Sequence, residues 1–481
     1  MTELKVQKEN FLTRLFGNKD FLKGVLIVFL PILIQNAITN FVSLLDNIMV
    51  GKIGTEQMSG VAICNQALFV FNLCIFGGVS GVGIFTAQYF GAKNYEGMRD
   101  TMRYMLYLCL LLVLIATMLF LFLDDEIISL FLHEGEQEGD LVSTLAFGKQ
   151  YLKIMVIGLP AFALTQVYAN VLRSANKTTT PMVAGLVAVA VNLGLNWVLI
   201  YGKLGAPTLG VEGAAIATVV SRYVEMMILL VYSHVNVSKL PYFKGVYKKL
   251  RLSWENIKKY TVKGFPILLN ETLWSLGMTM LVQCYSVRGL NVVAAINISN
   301  TLVNLFNAGM ISMGASVGII IGNLLGANKL EEAKKTDSKL IALSVALSLT
   351  LGGLMSAIAE FFPLVYNTTE QVRRLATYLI WISAAIMPVM AFLNAAYFTI
   401  RAGGKTFITF IFDNGMIWII NVPLALILSR LTSLPIIPMY AIINACDILK
   451  MIFGIILLKR GTWCRCIVEP TSTVTTEQAE A

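Results

Sequence analysis

The sequence predicts an all-α membrane protein in which twelve transmembrane helices form two six-helix repeats, related by a pseudo-two-fold axis along the membrane normal. Three observations lead there: composition, the number of apolar stretches, and an internal duplication. Of 481 residues, 57% are hydrophobic and only 14% charged, with a mean hydropathy of +0.72. That is more apolar surface than a soluble core can bury. Stretches of about 20 apolar residues, enough to cross roughly 30 Å of hydrocarbon, lie near 21–49, 58–90, 102–123, 146–172, 181–202, 212–233, 264–287, 291–325, 340–359, 375–400, 406–428 and 436–458.

The duplication is direct. Shifting residues 31–96 forward by 235 positions superposes Pro31-Ile32-Leu33 on Pro266-Ile267-Leu268, Asn65 on Asn300, Phe71-Asn72 on Phe306-Asn307 and Gly91-Ala92 on Gly326-Ala327, with about 14 of 66 positions identical. Farther on the offset becomes 228, matching Pro160, Arg173, Lys177 and Thr178 to Pro388, Arg401, Lys405 and Thr406. Six spans per copy is an even number, so the second copy enters the membrane facing the same way as the first. A duplicated apolar chain of this kind points to a transporter. The expected organisation is an N-terminal segment at 1–20, a first lobe at 21–233, a linker at 234–263, a second lobe at 264–460 and a disordered polar tail at 461–481.

Basic residues resist translocation, so their loops set the orientation. Most of the 37 Lys and Arg residues fall on one side: the N-terminal segment, the loops around Lys93, Arg173, Lys329 and Arg401, the linker from Lys239 to Lys263, and Lys459, Arg460 and Arg465. Both termini are therefore expected in the cytoplasm. The net charge of +9 follows from this topology and from contact with anionic lipids, not from nucleic-acid binding. Five of seven cysteines lie within spans, and the Cys464-x-Cys466 pair has no further ligands for a metal site. His133 and His234 are the only histidines and neither lies deep in a span, which speaks against an embedded metalloenzyme.

Polar residues inside spans carry the functional reading, because a carboxylate at mid-bilayer costs roughly 2.5–3.5 kcal/mol on insertion scales. Asp46 in the first span, Asn196 in the fifth and Thr218 in the sixth lie at matching heights, with Asn192 one turn deeper on the same face as Asn196. One carboxylate with amide and hydroxyl oxygens suits a sodium ion, and the carboxylate alone suits a proton. Glu271 in the seventh span and Asp413 in the eleventh share a level nearer the basic side. With Trp274 at i+3 from Glu271 and Trp418 at i+5 from Asp413, they suit an organic cation by charge and cation–π attraction. Arg222 with Glu225, and Asp447 with Lys450 at the matched positions of the twelfth span, are each expected to neutralise themselves as i, i+3 pairs.

The motifs Asp46-Asn47-Ile48-Met49-Val50-Gly51, Gly91-Ala92-Lys93-Asn94, Asn196-Trp197-Val198-Leu199-Ile200-Tyr201-Gly202 and Gly213-Ala214-Ala215-Ile216-Ala217-Thr218, with Gly326-Ala327-Asn328 and Arg401-Ala402-Gly403-Gly404 in the second copy, resemble those of the multidrug and toxic compound extrusion (MATE) transporters. The resemblance covers roughly residues 20–460. It implies two six-helix lobes in a V and export of cationic amphipathic compounds in exchange for sodium ions or protons, by alternating access from a monomer in the plasma membrane, with no cofactor beyond the coupling ion. It also implies that Asp46, Asn192, Asn196 and Thr218 form the N-lobe cation site. Asn196 stands where some relatives have Asp, and Glu271 follows Pro266 by five residues, where sodium-driven relatives place a Glu about two turns after the proline. A lipid-linked oligosaccharide flippase of the same superfamily is the alternative; it calls for a cationic cavity, whereas the intramembrane excess here is acidic.

Overall fold

The computed structural model describes residues 11–51, 55–129, 141–248, 251–366 and 368–468. Among these, twelve helices are long and apolar enough to cross a membrane, and no strand occurs. In chain order the spans are Lys19–Gly51, Thr55–Gly91, Tyr95–Phe122, Leu141–Ser174, Thr179–Tyr201, Gly210–Val235, Trp254–Ser286, Leu290–Gly326, Leu330–Ile358, Glu370–Ala402, Thr406–Arg430 and Ile436–Lys459. Each overlies one of the expected stretches; the seventh and ninth each begin ten residues before the expected 264 and 340. Large apolar side chains stay exposed along these helices, as Leu110, Leu114, Met118 and Phe122 do on the third. Apolar surface facing outward suits a hydrocarbon surrounding, where every backbone polar group has to be satisfied within the helix.

The duplication reappears in the turns. Lys93 and Asn328, matched across the copies, have φ of +55° and +58°, and Asn176 and Gly404 have +58° and +70°. Each follows a helix end whose carbonyl five residues before the next amide is recaptured: Asn94 N–H to Tyr89 O at 2.9 Å, Lys329 to Leu324 at 3.0 Å, Lys177 to Leu172 at 2.8 Å and Lys405 to Ile400 at 3.3 Å. These are Schellman turns, which close a helix and free the chain to reverse. Asn94 then caps the third span by accepting the Gly97 N–H at 2.9 Å.

Contacts divide the chain into two compact units, Ile34–Thr272 and Met1–Leu33 with Leu273–Ala481. The expected lobes change at the linker, whereas these units change inside the first and seventh helices, a few residues after the matched prolines Pro31 and Pro266. Proline removes a helical donor and crowds the preceding turn, so a helix bends most easily there.

In the unit Ile34–Thr272 the second span packs on the third and fourth, the fourth on the sixth, and the sixth on the fifth. The start of the seventh span joins them. A Cβ built on Gly81 would stand 2.9 Å from Gly264 Cα, and one on Gly77 3.0 Å from Leu268 Cα, so bare glycine backbone sets this approach. Tyr260 adds edge contacts to Phe85 and Tyr104 at 5.1 and 5.5 Å. The linker folds against the same unit: Arg103 donates to Val246 O at 2.8 Å, and the Tyr168 hydroxyl meets His234 Nε2 at 2.9 Å and the Tyr247 hydroxyl at 2.5 Å. Burial pushes the Tyr242 phenol up from its ordinary value.

In the other unit the same neighbours recur six spans later: the eighth packs on the ninth and tenth, the tenth on the twelfth, the twelfth on the eleventh. The start of the first helix places Val25 and Phe29 among Met313, Val317, Ile321 and Leu340. The tail departs from expectation. Residues 461–468 lie within the described fold, with Trp463 only 2% exposed and Arg465 donating to Gly403 O at 3.1 Å, while 469–481 lie outside the described residues. A Cβ on Gly403 would strike the Trp463 carbonyl at 1.8 Å, so that glycine admits the tail.

These contacts yield a paired test. Gly81→Leu forces the second and seventh helices apart and is expected to cost about 1–3 kcal/mol, read as a lower melting temperature of the purified protein in detergent. Gly353→Ala, in the ninth span with nothing within 4 Å of the added carbon, is expected to leave it unchanged or raised.

Candidate functional site

The fifth and sixth helices come together where Gly213 faces Leu199; a Cβ there would lie 2.8 Å from the Leu199 carbonyl. This close approach sets three of the expected polar side chains in one chain of hydrogen bonds. Thr218 donates its hydroxyl to Ala214 O at 3.0 Å and accepts from Asn192 Nδ2 at 3.3 Å; Asn192 Oδ1 accepts from Asn196 Nδ2 at 3.2 Å. Asn192 and Asn196 are 5% and 1% exposed. Tyr201, five residues beyond Asn196 on the same helix, donates to Met49 O at 3.1 Å and ties the end of the first helix to that of the fifth. Asp46 lies in that part of the first helix, and its side chain is outside the described residues. Amide and hydroxyl oxygens concentrated at one level of an apolar bundle are hard ligands suited to a small monovalent cation.

One and a half helix turns nearer the basic loops, the same unit holds Arg222 beside Glu225 at 3.4 Å, as the i, i+3 spacing anticipates, with the Arg222 guanidinium 5.2 Å from the Phe162 ring centre. Arg173, from the end of the fourth span, donates to Gln35 Oε1 at 2.9 Å. Glu271 also belongs to this unit: its Cγ packs 3.3 Å from the position of a Cβ on Gly77. Asp413 belongs to the other, so the two acids expected at one level are members of different units.

In that other unit the expected Asp447–Lys450 pairing gives way to a different one. Lys450 Nζ bonds Asp413 Oδ1 of the eleventh span at 2.6 Å, with side chains 10% and 17% exposed, and lies 5.3 Å from the Phe412 ring centre. An i, i+3 spacing makes a pair possible, but a long lysine also reaches a neighbouring helix, and here a carboxylate is waiting there. Asp413 stands on a distorted helix. The eleventh span makes two π turns, Ile411–Gly415 and Ile417–Asn421, before resuming as an α-helix at Val422. Pro423 accounts for the disturbance, since its ring would clash with a regular carbonyl of the preceding turn; the fifth span has Leu195 at the matched position and runs unbroken. That proline was the available signal. Trp418, expected to face a cation, instead packs on Gly277 and donates its indole N–H to Leu273 O at 3.1 Å. Trp274 is 38% exposed.

An apolar bundle that buries a hydrogen-bonded oxygen cluster and paired charges defines a membrane transporter, and comparison with known proteins agrees. The family model MatE matches residues 31–198 and 266–427, one match per copy, and the chain belongs to the multidrug and toxic compound extrusion (MATE) family. It is 24% identical over 440 residues to the probable multidrug resistance protein YoeA of Bacillus subtilis, covering 90% of this chain and 92% of that one. It is 23% identical over 444 residues to the probable multidrug resistance protein NorM of Thermotoga maritima, covering 92% and 93%. The fold matches a crystal structure of MATE in the straight conformation with a TM-score of 0.82 at 19% identity, covering 94% of this chain and 98% of that one.

The Lys450–Asp413 pair can be tested by its asymmetry. Lys450→Met leaves a carboxylate stranded and is expected to cost about 3–5 kcal/mol, whereas Lys450→Met with Asp413→Asn is expected to recover most of it. Thermal unfolding of the three proteins in one detergent checks the order.

Proposed function

We propose that this MATE transporter is a secondary active exporter that exchanges cationic, amphipathic compounds for sodium ions or protons by alternating access, with both termini in the cytoplasm of a plasma-membrane protein. The observation that supports it is the chain from half-buried Thr218 to buried Asn192 and Asn196. Nothing in helix packing requires three linked amides and hydroxyls inside an apolar bundle, and in the proposed orientation they lie toward the outer face, where an entering cation arrives. Asp46, from the first span, supplies the charge that holds the cation or carries the proton, and Asn192, Asn196 and Thr218 supply neutral oxygens.

On the substrate side, Glu271 and Trp274 offer a carboxylate and an aromatic face on one helix. Asp413 enters with Lys450 as its resident counter-ion, so a cationic compound reaching it has to compete with the ammonium; Trp418 contributes ring surface, its N–H being engaged. The driving force is adequate: one charge moving through 100 mV supplies about 2.3 kcal/mol before any concentration gradient. Coupling requires only that ion and compound prefer different states of the protein. The relatives' names as multidrug resistance proteins do not favour the flippase alternative.

The experiment is efflux of a fluorescent organic cation from proteoliposomes under an imposed sodium or proton gradient. Wild type is expected to respond to one of the two. Asp46→Asn is expected to abolish the gradient-driven component with insertion intact, and Asn196→Leu to reduce it at least tenfold. Full efflux by Asp46→Asn would remove that residue from the coupling role.

A further inference from the structure

The twelfth helix carries Asp447 and Lys450 one turn apart, and the ammonium is committed to Asp413. Asp447, 9% exposed, lies beside the Asn421 carboxamide at the end of the second π turn. Asn421 is 6% exposed, and its Oδ1 has no hydrogen-bond donor. The chemistry of the two groups explains that orphan. An ionised carboxyl only accepts hydrogen bonds, while a carboxamide brings N–H donors and one acceptor oxygen. Against a carboxylate, Asn421 is able to offer its N–H but leaves its oxygen empty. Against a carboxylic acid both ends are met, the amide N–H on the acid carbonyl and the acid O–H on Oδ1, in a closed two-bond ring. The arrangement lacks one proton.

Charge makes the same demand. Asp413, Lys450 and Asp447 together carry a net charge of −1 inside helices of high hydropathy, and one proton brings it to zero. We propose that Asp447 and Asn421 form a proton-binding site within this unit, the cyclic acid–amide pair being its occupied state. The groups around Asp447 leave it the titrating member. Cys446 and Lys450 neighbour it on its own helix, Asp413 faces it from the eleventh span and Tyr285 from the seventh. Tyr285 packs on Tyr440 at 5.4 Å, whose hydroxyl bonds Ser383 of the tenth span at 3.0 Å. Lysine neutralises Asp413, and thiols and phenols ionise only in the alkaline range. The first copy has no such pair: Arg222 and Leu193 stand at the positions matched to Asp447 and Asn421. The site is thus separate from the polar chain of the fifth and sixth spans and does not rest on the efflux reading.

The test is infrared difference spectroscopy of the full chain in lipid nanodiscs, alkaline against acidic buffer. Acidification is expected to produce a hydrogen-bonded carboxylic acid band that persists in Asp46→Asn, disappears in Asp447→Asn and shifts in frequency in Asn421→Leu, where the ring partner is gone. A band that survives Asp447→Asn, or is absent from wild type, overturns the proposal. Should Asp447→Asn fail to fold, Asn421→Leu decides: an unshifted band overturns it. Sodium ions added at alkaline pH are expected to leave the carboxylate bands unchanged; a sodium-induced change lost in Asp447→Asn would show the ligand to be a metal cation and overturn the proton assignment.

Discussion

A polar group inside hydrocarbon has no water to fall back on, and that constraint arranges most of what is specific in this molecule. Helical hydrogen bonds satisfy the backbone, and serines such as Ser312 and Ser316, fully buried, turn their hydroxyls back onto the preceding turn at 2.6 and 2.8 Å. Charges are harder to place. Several are met by an opposite charge or an aromatic face, Glu225 by Arg222, Lys450 by Asp413 and Phe412, and Arg401 by the rings of Tyr397 and Phe398, while Asp337 accepts from the Thr399 hydroxyl. Against that background the oxygen cluster of Asn192, Asn196 and Thr218 stands out, because it gathers polar groups where apolar side chains would pack at no cost.

The two copies have kept their framework and diverged in their charges. Turns, left-handed residues and helix neighbours repeat, from Lys93 with Asn328 to Asn176 with Gly404. Gly185 faces Gln35 and Glu225 in one copy, whereas its counterpart Asp413 bonds Lys450, the counterpart of Glu225, in the other. The scaffold is inherited, and at matched positions the charges exchange sign, Arg222 and Glu225 in one copy against Asp447 and Lys450 in the other.

Much of this was legible in the residues, for definite physical reasons. Apolar length reports a span, an i, i+4 spacing reports a shared helix face, and an ungapped repeat reports duplication; these gave the twelve helices, the Asn192–Asn196 neighbours and the matched turns. Choice among partners was not legible. The spacing of Asp447 and Lys450 says that they are able to meet, but only packing says that Lys450 reaches Asp413 instead. Nor does composition tell one apolar surface from another, so nothing in the first fifteen residues of the first helix reveals that they pack on the eighth and ninth. The π turns had a cue in Pro423, but local distortion depends on what the neighbouring helix demands. The tail beyond Lys459 reads as polar and loose until the gap beside Gly403 gives Trp463 a seat.

The first and seventh helices each begin in one unit and finish in the other, with a proline close to the changeover. Such a rod cannot be a passive tether. If either body tilts, the displacement has to be taken up along these two helices as curvature or torsion, and the weakened turns beside Pro31 and Pro266 are where it will collect. The chain thereby carries two internal springs, wound by the same event and anchored at opposite ends.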